Sequence, residues 1–309
     1  MLFCIIEKVC VLIVFSTKEE NLNILEYFPN KIVQAILNSI NEKEIETLEE
    51  IRIRVAKPII LKLLNKEILT EYIVTTQDIL EIAEKITENS MYSYQQQICS
   101  GYITLKGGHR VGISGNVVME ENKVINVNYI YSLNFRIARQ IIGVAEKVVN
   151  EVIKNDEVSN TLIISKPGAG KTTILRDLIR IISKTKTVGL VDERGEIAAM
   201  YKNEPQNDLG IKVDILSNIS KSLGIKMLVR SMAPDVIVAD EIGTKEDIEA
   251  IKYAVTSGVK GIFTAHANNI EDIKKSPILK ELLDLNLIDK IIILDKNNRE
   301  NIETSCSPY

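Results

Sequence analysis

Residues 161–173 read Thr161-Leu162-Ile163-Ile164-Ser165-Lys166-Pro167-Gly168-Ala169-Gly170-Lys171-Thr172-Thr173, and the rest of the chain is organised around them. The apolar run up to Ile164 predicts a buried strand. From Ile174 onward, Leu175, Leu178, Ile181 and Ile182 recur at helical spacing. Between them lies a glycine-rich turn followed by a lysine and a hydroxyl. Glycines let backbone N–H groups curl around phosphate oxygens without a Cβ in the way, and the helix N-terminus adds partial positive charge. Lys171 can then reach the β- and γ-phosphates, and the Thr172 hydroxyl can ligate Mg²⁺. Residues Ser165, Lys166, Pro167, Gly168, Ala169, Gly170, Lys171, Thr172 and Thr173 are therefore the expected cradle of a nucleoside triphosphate. Ser165 stands where this pattern usually begins with glycine. It lies at the strand end, before the glycines that face phosphate, so it is expected to alter affinity little.

The 309-residue length allows two domains, each with its own core. Hydrophobic residues make up 45% and charged residues 26%, the balance of a globular protein. Tryptophan is absent and aromatics are 5%, so the cores must be aliphatic. A net charge of −4 argues against a protein whose task is to coat nucleic acid. The four cysteines, Cys4, Cys10, Cys99 and Cys306, form no Cys-x-x-Cys pair. They read as free thiols in a reducing compartment, which points to the cytoplasm. Met1 to Phe15 is strongly apolar but interrupted by Glu7 and Lys8. It is shorter than the roughly 20 residues of a membrane span. A core strand, a membrane-surface segment and an upstream extension from a wrongly chosen start codon all fit it.

Apolar positions at Ile32, Val33, Ile36, Leu37 and Ile40 predict a helix within 23–41. In Glu50-Ile51-Arg52-Ile53-Arg54-Val55, apolar and basic residues alternate, so one strand buries the first set and presents the arginines. Pro58 is expected to end or bend it. Thr75 and Asp78 sit at capping-box spacing before the apolar stripe Ile79, Ile82, Ala83 and Ile86, predicting a helix over 75–88. Gly107-Gly108 and Glu120 to Lys123 predict turns around strands at 109–119 and 124–131. The expected organisation is an apolar extension (1–20), a smaller α+β domain with an antiparallel sheet (21–140), and an α/β RecA-like P-loop ATPase domain (141–309). Strands expected at 161–165, 187–191, 235–239, 261–264 and 290–294, with helices between most of them, make the second sheet parallel.

Three further stretches supply chemistry. Asp235-Val236-Ile237-Val238-Ala239-Asp240-Glu241 delivers two carboxylates to the end of a buried strand. Asp240 is expected to bind Mg²⁺ through water, and Glu241 to orient or deprotonate an attacking water. The acidic run Asp192-Glu193-Arg194-Gly195-Glu196 reads either as a charged loop or as a source of a carboxylate, Glu193 or Glu196, near that water or the metal. Thr264 and His266 end a strand, and His266 is one of only two histidines in the chain. Its position favours contact with the γ-phosphate or with the catalytic carboxylate.

Taken in order, these four elements resemble the ATPases of type II and type IV secretion systems, with their phosphate loop, Asp box, acidic strand and His box. Three residues separate Arg230 from Pro234, where those ATPases commonly have two, and Asp240 replaces their glycine. The first difference leaves an equivalent role for Arg230 open, and the second is closer to general RecA-like ATPases. Leu48 to Val55, Gly101 to Gly115, Ser132 to Arg139 and Val188 to Arg194 resemble the stage III sporulation AA family of endospore-forming bacteria. That resemblance implies a mother-cell ATPase at the cytoplasmic face of the membrane. It would assemble as a ring, expected to be a hexamer, and power a channel between mother cell and forespore through membrane-protein partners and peripheral membrane association. In such rings an arginine from a neighbouring subunit or the preceding domain stabilises the transferred phosphoryl group; Arg136 and Arg139 are the first candidates, with Arg110, Arg52 and Arg54 after them. Two other classes fit the phosphate loop: a nucleic-acid-binding P-loop ATPase and an ATP-binding scaffold with little turnover. The nucleic-acid class adds a module built on an Arg-x-x-x-His pair, for which the sequence after the last strand is expected to leave no room.

Overall fold

A computed structural model describes residues 23–294 and 302–306. The apolar extension expected at 1–20 lies outside the described residues, as do Cys4 and Cys10; Cys99 is a free thiol. The chain divides into two compact units, one running to Arg139 and joined by Tyr201–Gln206, the other comprising Gln140–Met200 and the chain from Asn207.

The first unit is built on a six-stranded antiparallel sheet. Its strands are β1 (Leu48–Arg54), β2 (Pro58–Leu63), β3 (Glu67–Ile73), β4 (Tyr102–Thr104), β5 (Arg110–Glu120) and β6 (Lys123–Arg136), in the order β3-β2-β1-β6-β5-β4. Alternation in β1 follows the sequence as far as Arg54: Ile51 and Ile53 are fully buried while Arg52 and Arg54 stay part-exposed, but Val55 falls in the turn that follows and is only half-buried. Pro58 does not merely end β1. A turn with Ala56 at φ 59° reverses the chain, and Pro58 opens β2, a strand whose first position tolerates proline. Helices α1 (Asn30–Ser39) and α2 (Thr76–Ile86) bury Ile32, Ile36, Ile79, Ile82 and Ile86 in the same core as the sheet. Each such side chain contributes about 1.5–3 kcal/mol by leaving water. Phe28 and Phe135 meet there with ring centroids 4.5 Å apart. Thr75 caps α2 in a full capping box with Asp78. Gly107 and Gly108 lie in the turn between β4 and β5, at φ 81° and 77°.

The second unit carries a seven-stranded sheet. Its strands are β7 (Thr161–Ser165), β8 (Val188–Asp192), β9 (Val213–Ser217), β10 (Val236–Ala239), β11 (Lys260–His266), β12 (Lys290–Leu294) and β13 (Ile302–Cys306). The order is β9-β8-β10-β11-β7-β12-β13, parallel except for β13, which pairs antiparallel with β12. The principal helices of this unit are α3 (Lys171–Ile182), α4 (Lys221–Ser231), α5 (Lys245–Thr256) and α6 (Pro277–Asp284). Two apolar clusters, one containing Leu162 and Ile164 and the other Ile163, cover β7 from both sides. This is why it reads as an unbroken apolar run rather than an alternation. Strands β9 and β13 are additional to the five expected from the sequence. Because β11 lies between β7 and β10, the ends of three neighbouring strands converge on one edge.

Candidate active site

At that edge the chain leaves β7 and turns at Gly168 (φ 74°) and Gly170 (φ 93°) before entering α3. Both glycines are left-handed, and no atom lies within 4 Å of where a Cβ would project from either. The loop thus presents bare backbone to open space, as a phosphate cradle requires. Helix α3 is fixed from behind. The buried Asp177 carboxylate accepts the Ala145 N–H at 2.8 Å and is ion-paired with Arg180 at 2.7 Å.

Lys171, the first residue of α3, is buried, with its Nζ 3.2 Å from Ser165 Oγ, 3.4 Å from Ser165 O and 3.0 Å from His266 Nδ1. Ser165 is therefore more than a strand end: its hydroxyl and carbonyl both receive the lysine. Burial pushes the Lys171 ammonium below its ordinary value, against the Asp240 and Glu241 carboxylates, which pull it up. An ammonium only donates, so His266 Nδ1 accepts and its Nε2 carries the hydrogen. That Nε2–H lies 3.0 Å from Glu241 Oε1 and donates to it.

Thr172 Oγ1 donates to Asp240 Oδ2 at 2.9 Å. Thr264, on the intervening strand β11, donates its hydroxyl to Asp240 Oδ1 and accepts the Glu241 N–H at 2.8 Å. Glu241 itself sits at φ 51°, a left-handed conformation that costs a non-glycine residue about 1–2 kcal/mol. Such strain is held in place here by the Thr264 and Asp240 contacts on its N–H. The second Glu241 oxygen, Oε2, is 2.5 Å from Arg194 Nη1.

The site thus brings together Ser165, Lys171, Thr172, Asp240, Glu241 and His266. It does not bring in Glu193, which pairs with Lys221 of α4 instead. Arg136 and Arg139 belong to the first unit. Arg136 ends β6 opposite Glu50 and Arg110, and Arg139 donates to the Leu48 carbonyl at 2.7 Å. Arg230 lies over the Tyr253 ring, 5.7 Å from its centroid, rather than at the phosphate loop. Sequence reasoning missed Arg194, Asp192, Arg176 and the part played by Thr264. Arg194 and Asp192 stand inside the acidic run, from which only Glu193 or Glu196 is expected to supply the carboxylate. Arg176 follows Thr172 by one helical turn, a spacing that puts both on one face of α3.

A hydroxyl and a carboxylate 2.9 Å apart, beside a glycine loop that opens to solvent, are hard oxygen donors of the kind Mg²⁺ takes. With the parallel sheet and the glycine turn between β7 and α3, this gives the second unit a P-loop fold. The solved structures agree at the level of fold. The chain matches the ATPase DotB of Legionella pneumophila with a TM-score of 0.53 and 17% identity, covering 80% of this chain and 72% of that one. It matches the pilus retraction motor PilT, solved with bound ADP, with a TM-score of 0.57 and 16% identity, covering 82% and 76%. The family profile described as Sporulation stage III, protein AA matches residues 16–303, and the chain belongs to that family. Stage III sporulation protein AA of Bacillus subtilis (strain 168) is 38% identical over 279 residues, 88% of this chain and 90% of that protein. Among the described residues no helix is long and apolar enough to cross a membrane.

Proposed function

We propose that the chain is a Mg²⁺-dependent ATPase that assembles as a ring, a hexamer in this reading, and drives or supports the channel between mother cell and forespore. Its place would be the mother-cell cytoplasm, at the membrane face, with membrane proteins of the channel as partners. The observation that carries the ATPase reading is the convergence of Lys171, the Thr172–Asp240 pair and Glu241 on one sheet edge. The backbone N–H groups around Gly168 and Gly170 would bind the phosphates of ATP, with Lys171 on the β- and γ-oxygens. Thr172 and, through water, Asp240 would hold Mg²⁺, which supplies charge neutralisation to the phosphates when bound. Glu241 would orient a water in line with the γ-phosphate and take its proton. His266 would fix the Glu241 carboxylate from one side. Units one and two are taken as domains meeting near residue 140, with hydrolysis converted into their relative motion. Arg136 and Arg139 remain the candidates to act on a neighbouring subunit's nucleotide.

Phosphate release from ATP by the full chain, compared with Lys171→Ala, tests this. Turnover in the first and none in the second is expected. Wild-type-like hydrolysis by the variant would remove the assignment, and ATP binding without turnover by the natural chain would reduce it to a nucleotide-gated scaffold.

A further inference from the structure

The loop that follows β8 is held unusually firmly for an exposed segment. The buried Asp192 carboxylate accepts three backbone N–H groups, from Glu196 at 2.9 Å, Ile197 at 3.1 Å and Ala198 at 2.8 Å. Burial pushes this carboxyl above its ordinary value, and the three N–H groups act against that. From α3, Arg176 donates to the carbonyls of Glu196 at 2.8 Å and Ile197 at 3.1 Å. Glu193 is tied to Lys221. The framework thus joins the acidic loop to the helix that begins at the phosphate cradle. From it projects one long basic side chain. Arg194 retains 65% of its side-chain exposure, yet its guanidinium reaches Glu241 Oε2.

An exposed ion pair adds little to stability, so the rigid frame is not explained by the pair it positions. Charge supplies the explanation. Asp240 and Glu241 put two carboxylates at the end of β10, and a γ-phosphate within reach of Glu241 would add a third anionic group. Like charges at such distance disfavour one another strongly unless a cation stands between them. Lys171 serves the phosphates from the cradle side. Arg194 is the cation on the Glu241 side, and its planar fork of five donors can serve a carboxylate and a phosphate oxygen together.

We propose that Arg194 is the residue by which this site distinguishes ATP from ADP. Its guanidinium bridges Glu241 to the γ-phosphate in the ATP complex, supplied by the same chain that carries the phosphate loop. The inference rests on the ATPase reading above. Glu193, the neighbour the sequence favoured, is left with the task of anchoring the loop to α4.

The test is nucleotide affinity, measured by calorimetric titration of the full chain with AMP-PNP and with ADP, each with Mg²⁺. Arg194→Ala should weaken AMP-PNP binding about tenfold or more, the scale of a lost charge-assisted hydrogen bond, and leave ADP within about twofold. Arg194→Lys keeps the charge without the fork and should fall between. Melting temperatures of both variants should stay near that of the natural chain; if Arg194→Ala does not fold, Arg194→Lys carries the same comparison. Equal weakening of both nucleotides, or unchanged AMP-PNP binding, would overturn the role of Arg194 while leaving the ATPase reading in place. A natural chain that binds neither nucleotide would overturn both.

Discussion

His266 holds a position that neither of its neighbours could fill alone. Lys171 saturates Nδ1, which commits Nε2–H to Glu241 and so sets the tautomer and the ring plane together. Changing His266 to Ala removes the support on Oε1 and leaves Glu241 held by Arg194 and by its backbone alone. Turnover should fall about a hundredfold, the scale set by small misplacements of a reacting group. ADP affinity should change little, because the glycine cradle is untouched. Comparable losses in both would mean that His266 maintains the loop rather than the base. At this scale the sequence was informative where a residue type has few uses: a lysine after glycines, an acidic pair after an apolar strand, one histidine at a strand end. It was silent on Arg194, because an arginine among carboxylates looks like ordinary surface balance until Asp192 is seen to bury its charge under three N–H groups.

Elements differ in how plainly they announce themselves, and burial decides it. Strand β7 is buried at every position and β1 alternates from Glu50 to Arg54, so both can be read from composition and period. Strand β9 is half-buried throughout, at the sheet's edge, and its Asp214 and Ser217 break any period. Least legible is the order of the strands. Nothing local says that β11 lies between β7 and β10, yet that order lets Thr264 and His266 bind both the phosphate loop and the acidic strand. The capping box of α2 was legible and has a measurable consequence. Burial pushes the Asp78 carboxyl up, but Lys31 at 2.6 Å, the Thr75 N–H and hydroxyl at 2.8 Å and Tyr72 at 2.9 Å outweigh it and hold it below its ordinary value. A depressed carboxyl stabilises the fold above its unfolded value of about 3.9, and that contribution disappears as pH falls through the lower folded value. Asp78→Ala should cost about 1–2 kcal/mol at neutral pH, the range of a lost helix cap. In urea titrations the gap between variant and natural chain should then close below about pH 4. A gap that stays constant with pH would assign the loss to packing instead.

For the whole molecule, the proposal that an arginine from a neighbouring copy completes the site predicts activity that depends on assembly. Phosphate release per subunit should rise with protein concentration over the range in which light scattering shows the mass increasing. A rate per subunit independent of mass would place every catalytic group within one chain. The first unit is also discontinuous in sequence. Glu88 is bonded by Tyr201 and by Lys202 at 2.9 Å, and the Gly107 N–H donates to Gln206 at 2.7 Å, although these partners are encoded more than ninety positions further on. The chain passes out of the first unit after Arg139, returns for Tyr201–Gln206 and leaves again. No single cut or gene fusion can separate the two units cleanly. A recombination event that exchanged one of them at a single crossover would strand six residues on the wrong side.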